Sequence, residues 1–168
     1  MTTDDGTTAE HEYTEDGHYL IVDGRRWQAT DPAIPEKFRK ELVAELMAAR
    51  RDVRTTPATA RPRVQDAKVA LGERGEPWWQ PTPAGQRVRL AAAMRVLLRH
   101  RPPESTICPS DAARTVGGTG WRTLMAAARE VAGELAEAGV LEVRQGGQAV
   151  ELATATGPIR LARGPKWV

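Results

Sequence analysis

The first apolar residues of the chain form two short runs that predict a β-hairpin. Residues 19–22 are Tyr-Leu-Ile-Val, residues 25–29 place Trp27 among polar neighbours, and Asp23-Gly24 separates the two runs. An Asp-Gly pair tolerates the positive φ angles that a two-residue type I′ turn requires. The sequence therefore predicts two antiparallel strands joined at Asp23-Gly24.

Apolar residues then recur at three- and four-residue spacing, which predicts a helix from Pro35 to about Asp52. Its apolar face consists of Phe38, Leu42, Leu46 and Met47. Its polar face consists of Lys37, Lys40, Glu41 and Glu45. We expect a loop over residues 55–62 and a short helix over residues 64–71 that ends at Gly72.

Trp78 and Trp79 are adjacent in an irregular segment over residues 72–81. Two interpretations are open: the indoles cover a hydrophobic face of the fold, or they form a platform for a stacked ligand or base.

The next helix is predicted over residues 86–100, with an apolar face of Val88, Leu90, Ala91, Met94, Leu97 and Leu98. Arginines decorate this helix and its end: Arg87, Arg89, Arg95, Arg99 and Arg101. This basic face is either simply solvated or contacts phosphates.

The order of elements after this helix predicts a winged helix-turn-helix. Ile107 is a candidate for a short first strand, and Pro109 suits the first position of a helix that reaches about Val116. Three glycines in residues 117–120 permit a sharp turn before a second helix over residues 121–138. The predicted inward stripe of that helix is Trp121, Leu124, Met125, Ala128, Val131, Ala132 and Leu135. Strands over residues 140–144 and 149–152, joined by Gly146-Gly147 and extended by residues 159–161, complete the predicted β-ribbon.

In such a fold the start of the second helix enters the major groove of DNA, and basic residues of the wing contact the backbone or the minor groove. The candidate nucleic-acid-binding residues are therefore Arg114, Arg122, Thr123, Arg129 and Arg144. Glu130, Glu134 and Glu137 make the second half of the helix acidic, which DNA would repel. Two hypotheses follow: a DNA-binding protein that acts as a transcriptional regulator, and a protein–protein adapter built on a winged helix.

Four motifs occur in order along the second half of the chain. They are Thr106-Ile107-Cys108-Pro109-Ser110-Asp111-Ala112-Ala113-Arg114, Trp121-Arg122-Thr123-Leu124-Met125, Arg129-Glu130-Val131-Ala132 and Gly157-Pro158-Ile159-Arg160-Leu161. Residues 87–163 with these motifs resemble the family of the bacterial domain of unknown function 3253. The resemblance implies a winged-helix module without an assigned activity, preceded by an accessory unit that is equally uncharacterised.

Charge is distributed unevenly along the chain. Residues 1–18 contain six acidic and no Lys or Arg residues, so the remainder carries a formal charge of +8 although the whole chain carries +2. Residues 1–17 have too few apolar groups to offset the entropy of ordering, and we expect them to be disordered. The basic remainder suits a polyanion and suits an ordinary solvated surface equally well.

Little in the sequence suggests catalysis. Cys108 is the single cysteine, which excludes an intramolecular disulfide and a cysteine metal cluster. It suits a small buried apolar residue, the alternative being a thiolate activated at a helix start. His11, His18 and His100 show no metal-ligand spacing. We therefore predict no enzyme, no catalytic residue, no metal site and no cofactor.

The predicted fold class is α+β and mostly helical. It comprises a disordered acidic tail (1–17), a β-hairpin and helical accessory unit (18–84) and a winged helix-turn-helix domain (85–168). The predicted partner is double-stranded DNA, with a protein partner as the alternative. Since no signal peptide and no membrane-spanning run is evident, we expect a soluble cytoplasmic protein without a membrane partner.

Overall fold

The computed structural model describes residues 11–168, and it shows an α+β fold in which about half of the residues are helical. The helices of the described chain are α1 (Glu36–Asp52), α2 (Pro57–Leu71), α3 (Pro83–His100), α4 (Pro109–Gly117), a 3-10 helix (Gly118–Leu124) and α5 (Met125–Glu137). The strands form two antiparallel sheets of three strands each. The first contains β1 (Glu12–Tyr13), β2 (Tyr19–Val22) and β3 (Arg25–Gln28), and the second contains β4 (Leu141–Gln145), β5 (Gln148–Ala149) and β6 (Arg160–Arg163).

The N-terminal hairpin forms as predicted. Asp23 and Gly24 have φ angles of 49° and 74°, so both central residues of the turn lie in the left-handed region. The prediction of a disordered tail is wrong for residues 12–13, because they form β1, which pairs with β2 through Tyr13 and Leu20. A turn closed by the hydroxyl of Thr14 positions β1 on the edge of the hairpin. Residues 1–10 of the predicted tail lie outside the described residues.

The two adjacent tryptophans attach this hairpin to the helices. Trp79 stacks on His18 with ring centroids 4.2 Å apart, and Trp78 donates a hydrogen bond of 2.9 Å from Nε1 to the carbonyl of Ala29. Tyr19 meets Trp79 edge to face. Because these contacts cover the hairpin, the structure favours the first of the two interpretations, closure of a hydrophobic face.

In α1, the predicted apolar face is wrong at two positions. Met47 is 38% exposed, whereas Glu45, predicted on the polar face, is buried. Position 45 follows the buried Leu42 by three residues and therefore lies on the same side of the helix. The Glu45 carboxylate tolerates burial there because Nε of Arg63 in α2 donates to it at 2.7 Å, a contact that raises the pKa of Arg63.

Helix α2 begins seven residues earlier than predicted, within the expected loop. Pro57 occupies the first turn, where the N–H that proline lacks has no intrahelical partner. Pro62 is the sixth residue of the helix, so it removes only a bond to a carbonyl of the first turn. Gly72 ends the helix with φ 79°, as predicted.

Helix α3 lies in one hydrophobic core that includes residues from both halves of the chain. Leu90, Met94, Leu97 and Leu98 are almost completely buried. They belong to the same cluster as Leu42 of α1 and the residues of α5 and β6. The predicted accessory unit and the C-terminal half therefore share a core across residue 84, the boundary expected between them.

The C-terminal half has the predicted order of elements but a later second helix. The 3-10 helix occupies residues 118–124, and α5 begins at Met125 rather than Trp121. Gly118 has φ 55° and ψ −128°, a conformation open only to glycine, and its Cα is so close to the carbonyl of Ala33 that a Cβ would lie 3.0 Å from that oxygen. The start of the 3-10 helix thus packs directly against the segment before α1.

The second sheet completes the fold. Its strand order is β5-β4-β6, and Ile107, where a short first strand is predicted, forms a single isolated bridge with Leu161 of β6. Gly146 and Gly147, with φ angles of 58° and 78°, form the turn between β4 and β5. In the described part of the chain, no helix combines the length and the apolar character that crossing a membrane requires.

Candidate nucleic-acid interface

Two of the predicted residues, Arg114 and Arg122, lie over the same indole ring. Their guanidinium carbons are 4.5 Å and 4.7 Å from the centroid of the Trp121 ring. Both arginines are exposed, and within residues 11–168 neither has a carboxylate within 4 Å. The turn between α4 and α5 thus presents two positive charges whose positions are fixed by stacking on an aromatic ring.

Trp121 packs against the hydrophobic core, as predicted, but at its edge. It is only partly buried, and it lies in the 3-10 helix rather than on the stripe of α5. Leu124, also predicted on the inward stripe, is 8% exposed and lies against Gly117. Trp121 therefore supports the two arginines, a role that helical periodicity alone does not indicate.

Thr123 is exposed beside these arginines, and its hydroxyl donates to the carbonyl of Gly120 at 2.9 Å. Arg129 lies about one turn after the start of α5 at Met125 and is half-buried. Its Nη1 donates to the carbonyl of Gly157 in the loop between β5 and β6, although the distance of 3.4 Å makes this a weak contact. Arg129 thus connects α5 with the loop that follows the β4–β5 turn.

Arg144 does not share a surface with these residues. It alternates along β4 with Val143, which is buried in the core beneath α5, and therefore projects from the opposite face of the sheet. Its Nε also donates to Glu142 at 2.7 Å, so much of its charge is neutralised. The structure brings Arg114, Arg122 and Thr123 together at the turn, places Arg129 near the adjoining loop and separates Arg144 from all of them.

The arginines of α3 are neither simply solvated nor free to contact phosphates, because they pair with carboxylates of the protein. Arg89, predicted to face outward, is buried beside Asp31, while Val88 of the predicted apolar face is 62% exposed. Arg87 contacts Glu130 at 2.7 Å and also bonds to Glu134. These contacts connect α3 with other parts of the fold and neutralise part of the acidic surface of α5.

The remaining arginines at this end of the fold are also engaged internally. Arg95 and Arg99 both bind Asp66 of α2, at 2.7 Å and 2.5 Å. Arg101 binds Glu41 at 2.9 Å, and this hydrogen bond raises the pKa of the Arg101 guanidinium. Arg163 caps α3, because its Nη2 donates to the carbonyl of Leu98 at 2.8 Å.

A second basic surface lies in the N-terminal half, where the sequence suggested no site. Nζ of Lys68 lies 5.8 Å from the centroid of Trp27, an indole that is 48% exposed. Partial burial lowers the pKa of Lys68, and the neighbouring charges of Arg74 and Arg50 lower it further. These residues form no sequence motif, because they lie in the hairpin, in two helices and in the loop after α2, far apart along the chain.

Comparison with known protein families gives a match for the C-terminal half of the chain. Residues 87–164 match the model of a family described as protein of unknown function (DUF3253). The match begins within α3, extends through β6 and supports the resemblance drawn from the four motifs. No curated protein matches the chain.

Proposed function

We propose that the protein binds double-stranded DNA through a winged helix-turn-helix formed by α3 through β6, and that it acts as a transcriptional regulator. The pair of exposed arginines on Trp121 carries this proposal. Two guanidinium groups without a carboxylate partner suit neighbouring phosphates, since Arg offers a planar set of donors that matches phosphate oxygens. Stacking on the indole also reduces the side-chain entropy that ordering them on DNA would cost.

The order of elements supports the proposed fold. Helix α3, the bridge at Ile107, α4, α5 and the β4–β5–β6 sheet follow one another as in a winged helix, with α5 in the place of the recognition helix. In that arrangement the residues before α5 meet the major groove first. Arg122 and Thr123 are among these residues.

The charge along α5 limits the proposed contact to its first part. Glu130, Glu134 and Glu137 lie along the exposed side of its second half, where phosphates would be repelled. We therefore propose that the interface consists of the turn at residues 118–124, the first turn of α5 and Arg129 beside the loop at Gly157. Arg144 is excluded from this proposed interface, since it projects from the other face of the sheet.

The test is fluorescence anisotropy of a labelled random-sequence DNA duplex titrated with the full-length protein at several salt concentrations. Replacing Arg114 and Arg122 with Ala should weaken binding. Loss of two phosphate contacts should also reduce the slope of log affinity against log salt by about 1.8, at roughly 0.9 per contact. Arg51→Ala serves as the matched control, because Arg51 is exposed near the far end of α1, about 22 Å along the helix from its start.

Thermal unfolding of each variant should accompany the titrations, so that a folding defect is recognised. If wild-type protein shows no salt-dependent affinity for duplex DNA at micromolar concentration, the proposed function is wrong. It is equally wrong if Arg51→Ala reduces affinity as much per removed charge as Arg114→Ala/Arg122→Ala does, because binding would then reflect net charge alone.

A further inference from the structure

An open groove with an apolar floor lies between α5 and the strands of the second sheet. Its volume is about 740 Å³. Val150, Leu152 and Pro165 line it together with the otherwise buried Leu141 and Val143. The groove is thus a second surface of the C-terminal half, formed by the later part of α5 rather than by its start.

A glycine of α5 allows one side of this groove to form. Gly133 lies within α5, where glycine is less favourable than alanine by about 1 kcal/mol. A Cβ at position 133 would lie 2.8 Å from Cδ2 of Leu152. The absence of a side chain therefore lets Leu152, which follows β5, approach the helix and contribute to the apolar floor.

The rim of the groove is acidic. Five glutamates line it: Glu130, Glu134, Glu137, Glu142 and Glu151. No Lys or Arg of the described chain lines it with them. Arg87 bonds to Glu130 and Glu134, and Arg144 bonds to Glu142. Glu137 and Glu151 have no basic partner within 4 Å among residues 11–168, so the negative charge of the rim is only partly neutralised.

We propose that this groove binds a basic peptide segment of a partner protein, one that combines Lys or Arg residues with apolar anchors. The apolar floor provides area for Leu-, Ile- or Phe-like side chains, and the rim provides carboxylates for the flanking positive charges. The proposal does not depend on DNA binding, because it uses neither Arg114 nor Arg122. The acidic second half of α5, which lies outside the proposed DNA interface, would contact this peptide.

The length of the acidic row favours a peptide over a small cation. Glu130, Glu134 and Glu137 are spaced by four and three residues along one side of α5, and at 1.5 Å per residue they extend over about 10 Å. Glu151 lies on the sheet side of the groove. A small molecule with one positive charge would reach only part of this row, whereas a segment with several spaced bases matches it.

The proposal can be tested by selecting a random twelve-residue peptide library on phage against the immobilised full-length protein. Selected peptides should be enriched in Lys or Arg and in large apolar residues relative to the unselected library. A synthetic peptide from the enriched set should bind wild-type protein in an anisotropy titration. Glu137→Lys/Glu151→Lys should weaken this binding by about tenfold or more, because two attractive contacts become repulsive.

Glu104→Lys is the matched control, since Glu104 is exposed in the loop before α4 and has no basic partner in the described chain. It should leave the affinity for the peptide within about twofold of wild type, and so should Arg114→Ala/Arg122→Ala. Circular dichroism melts should establish that each variant is folded. A peptide whose apolar residues are replaced with Ser should bind at least about tenfold more weakly.

Three results would overturn the proposal. The first is a selection that yields no enrichment of basic residues. The second is equal loss of affinity in Glu104→Lys and in Glu137→Lys/Glu151→Lys. The third is a selected peptide that binds equally well when its apolar residues are replaced with Ser.

Discussion

Arg89 and Asp31 form a buried ion pair that connects α3 with the segment before α1. Nη1 of Arg89 lies 2.8 Å from Oδ2 of Asp31, and the two side chains are only 10% and 6% exposed. Nε of Arg89 also donates to the carbonyl of Ala70 at the end of α2, and Oδ1 of Asp31 accepts from the N–H of Ala33. Burial lowers the pKa of Arg89, while the Asp31 carboxylate opposes that effect, and the guanidinium stays charged beside it.

Breaking this pair should therefore destabilise the whole fold. Arg89→Met leaves Asp31 as a buried carboxylate without a counter-charge, and we expect the free energy of unfolding to fall by about 3–5 kcal/mol. Adding Asp31→Asn to Arg89→Met should restore part of the loss, because the unpaired charge is then removed. Urea unfolding measures both effects. Arg39→Met, at an exposed contact of 3.9 Å with Glu36, should cost less than about 0.5 kcal/mol.

Two glycines of the same turn should respond differently to alanine. Gly118 combines φ 55° with ψ −128°, and a Cβ there would lie 3.0 Å from the carbonyl of Ala33. We expect Gly118→Ala to lower the free energy of unfolding by about 1–3 kcal/mol. Gly120 has no positive φ, and a Cβ added there would meet no tertiary neighbour within 4 Å, so Gly120→Ala should be neutral or slightly stabilising. Urea unfolding measures both changes, and equal losses in the two variants would contradict this account of the turn.

Lys68 should make stability depend on pH in the alkaline range. Its pKa lies below the ordinary value of 10.5 because of partial burial and the charges of Arg74 and Arg50. The protonated amine therefore opposes folding at neutral pH, and stability should rise as pH increases from the lowered pKa toward 10.5. Lys68→Gln should lack this rise.

The comparison of wild type with Lys68→Gln by thermal unfolding between about pH 7 and pH 10.5 isolates that contribution. Added salt should reduce the difference, since it screens the repulsion from the two arginines. Lys40→Gln is the control, because Lys40 is exposed beside Glu36 at 3.4 Å. A pH profile that is identical for Lys68→Gln and wild type would disprove the expected role of Lys68.

Asp66 should be more important to stability than an exposed carboxylate in a similar pair. It accepts hydrogen bonds from Arg95 and Arg99 and is 9% exposed, whereas Asp52 meets Arg63 with a side chain that is 47% exposed. We expect Asp66→Asn to cost about 2–4 kcal/mol and Asp52→Asn less than about 1 kcal/mol. Denaturant unfolding provides both values, and a smaller loss for Asp66→Asn than for Asp52→Asn would show that α2 and α3 are held by packing alone.

Several elements could be predicted because their signals are local. The turn at Asp23-Gly24 and the helix end at Gly72 depend on the φ angles that those residues tolerate. The start of α4 at Pro109 depends on a ring that fits the first helical turn. The family resemblance also depends on local motifs, and the matched segment, residues 87–164, covers the same part of the chain.

The candidate site could be predicted only in part. Arg114, Arg122 and Thr123 do lie together, since they flank one short turn of the chain. Trp121 packs against the core as predicted but is only partly buried, because a 3-10 helix rotates its residues by about 120° rather than about 100° per position and so turns part of the indole outward. The sequence groups Arg144 with them on the basis of its charge, although the alternation of β4 directs it to the other face of the sheet.

The sequence by itself determined the turn at Asp23-Gly24, the helix end at Gly72, the helix start at Pro109 and the order of elements, since each depends on the backbone preferences of a few neighbouring residues. Only the tertiary structure decided which charges are free to bind a partner. Arg89 meets Asp31 and Arg101 meets Glu41 across 58 and 60 positions of the chain, and such distant pairs leave no periodic signal in the sequence. A buried guanidinium requires a counter-charge, and the arginines of α3 accordingly pair with carboxylates. The two arginines that lie over Trp121 remain exposed.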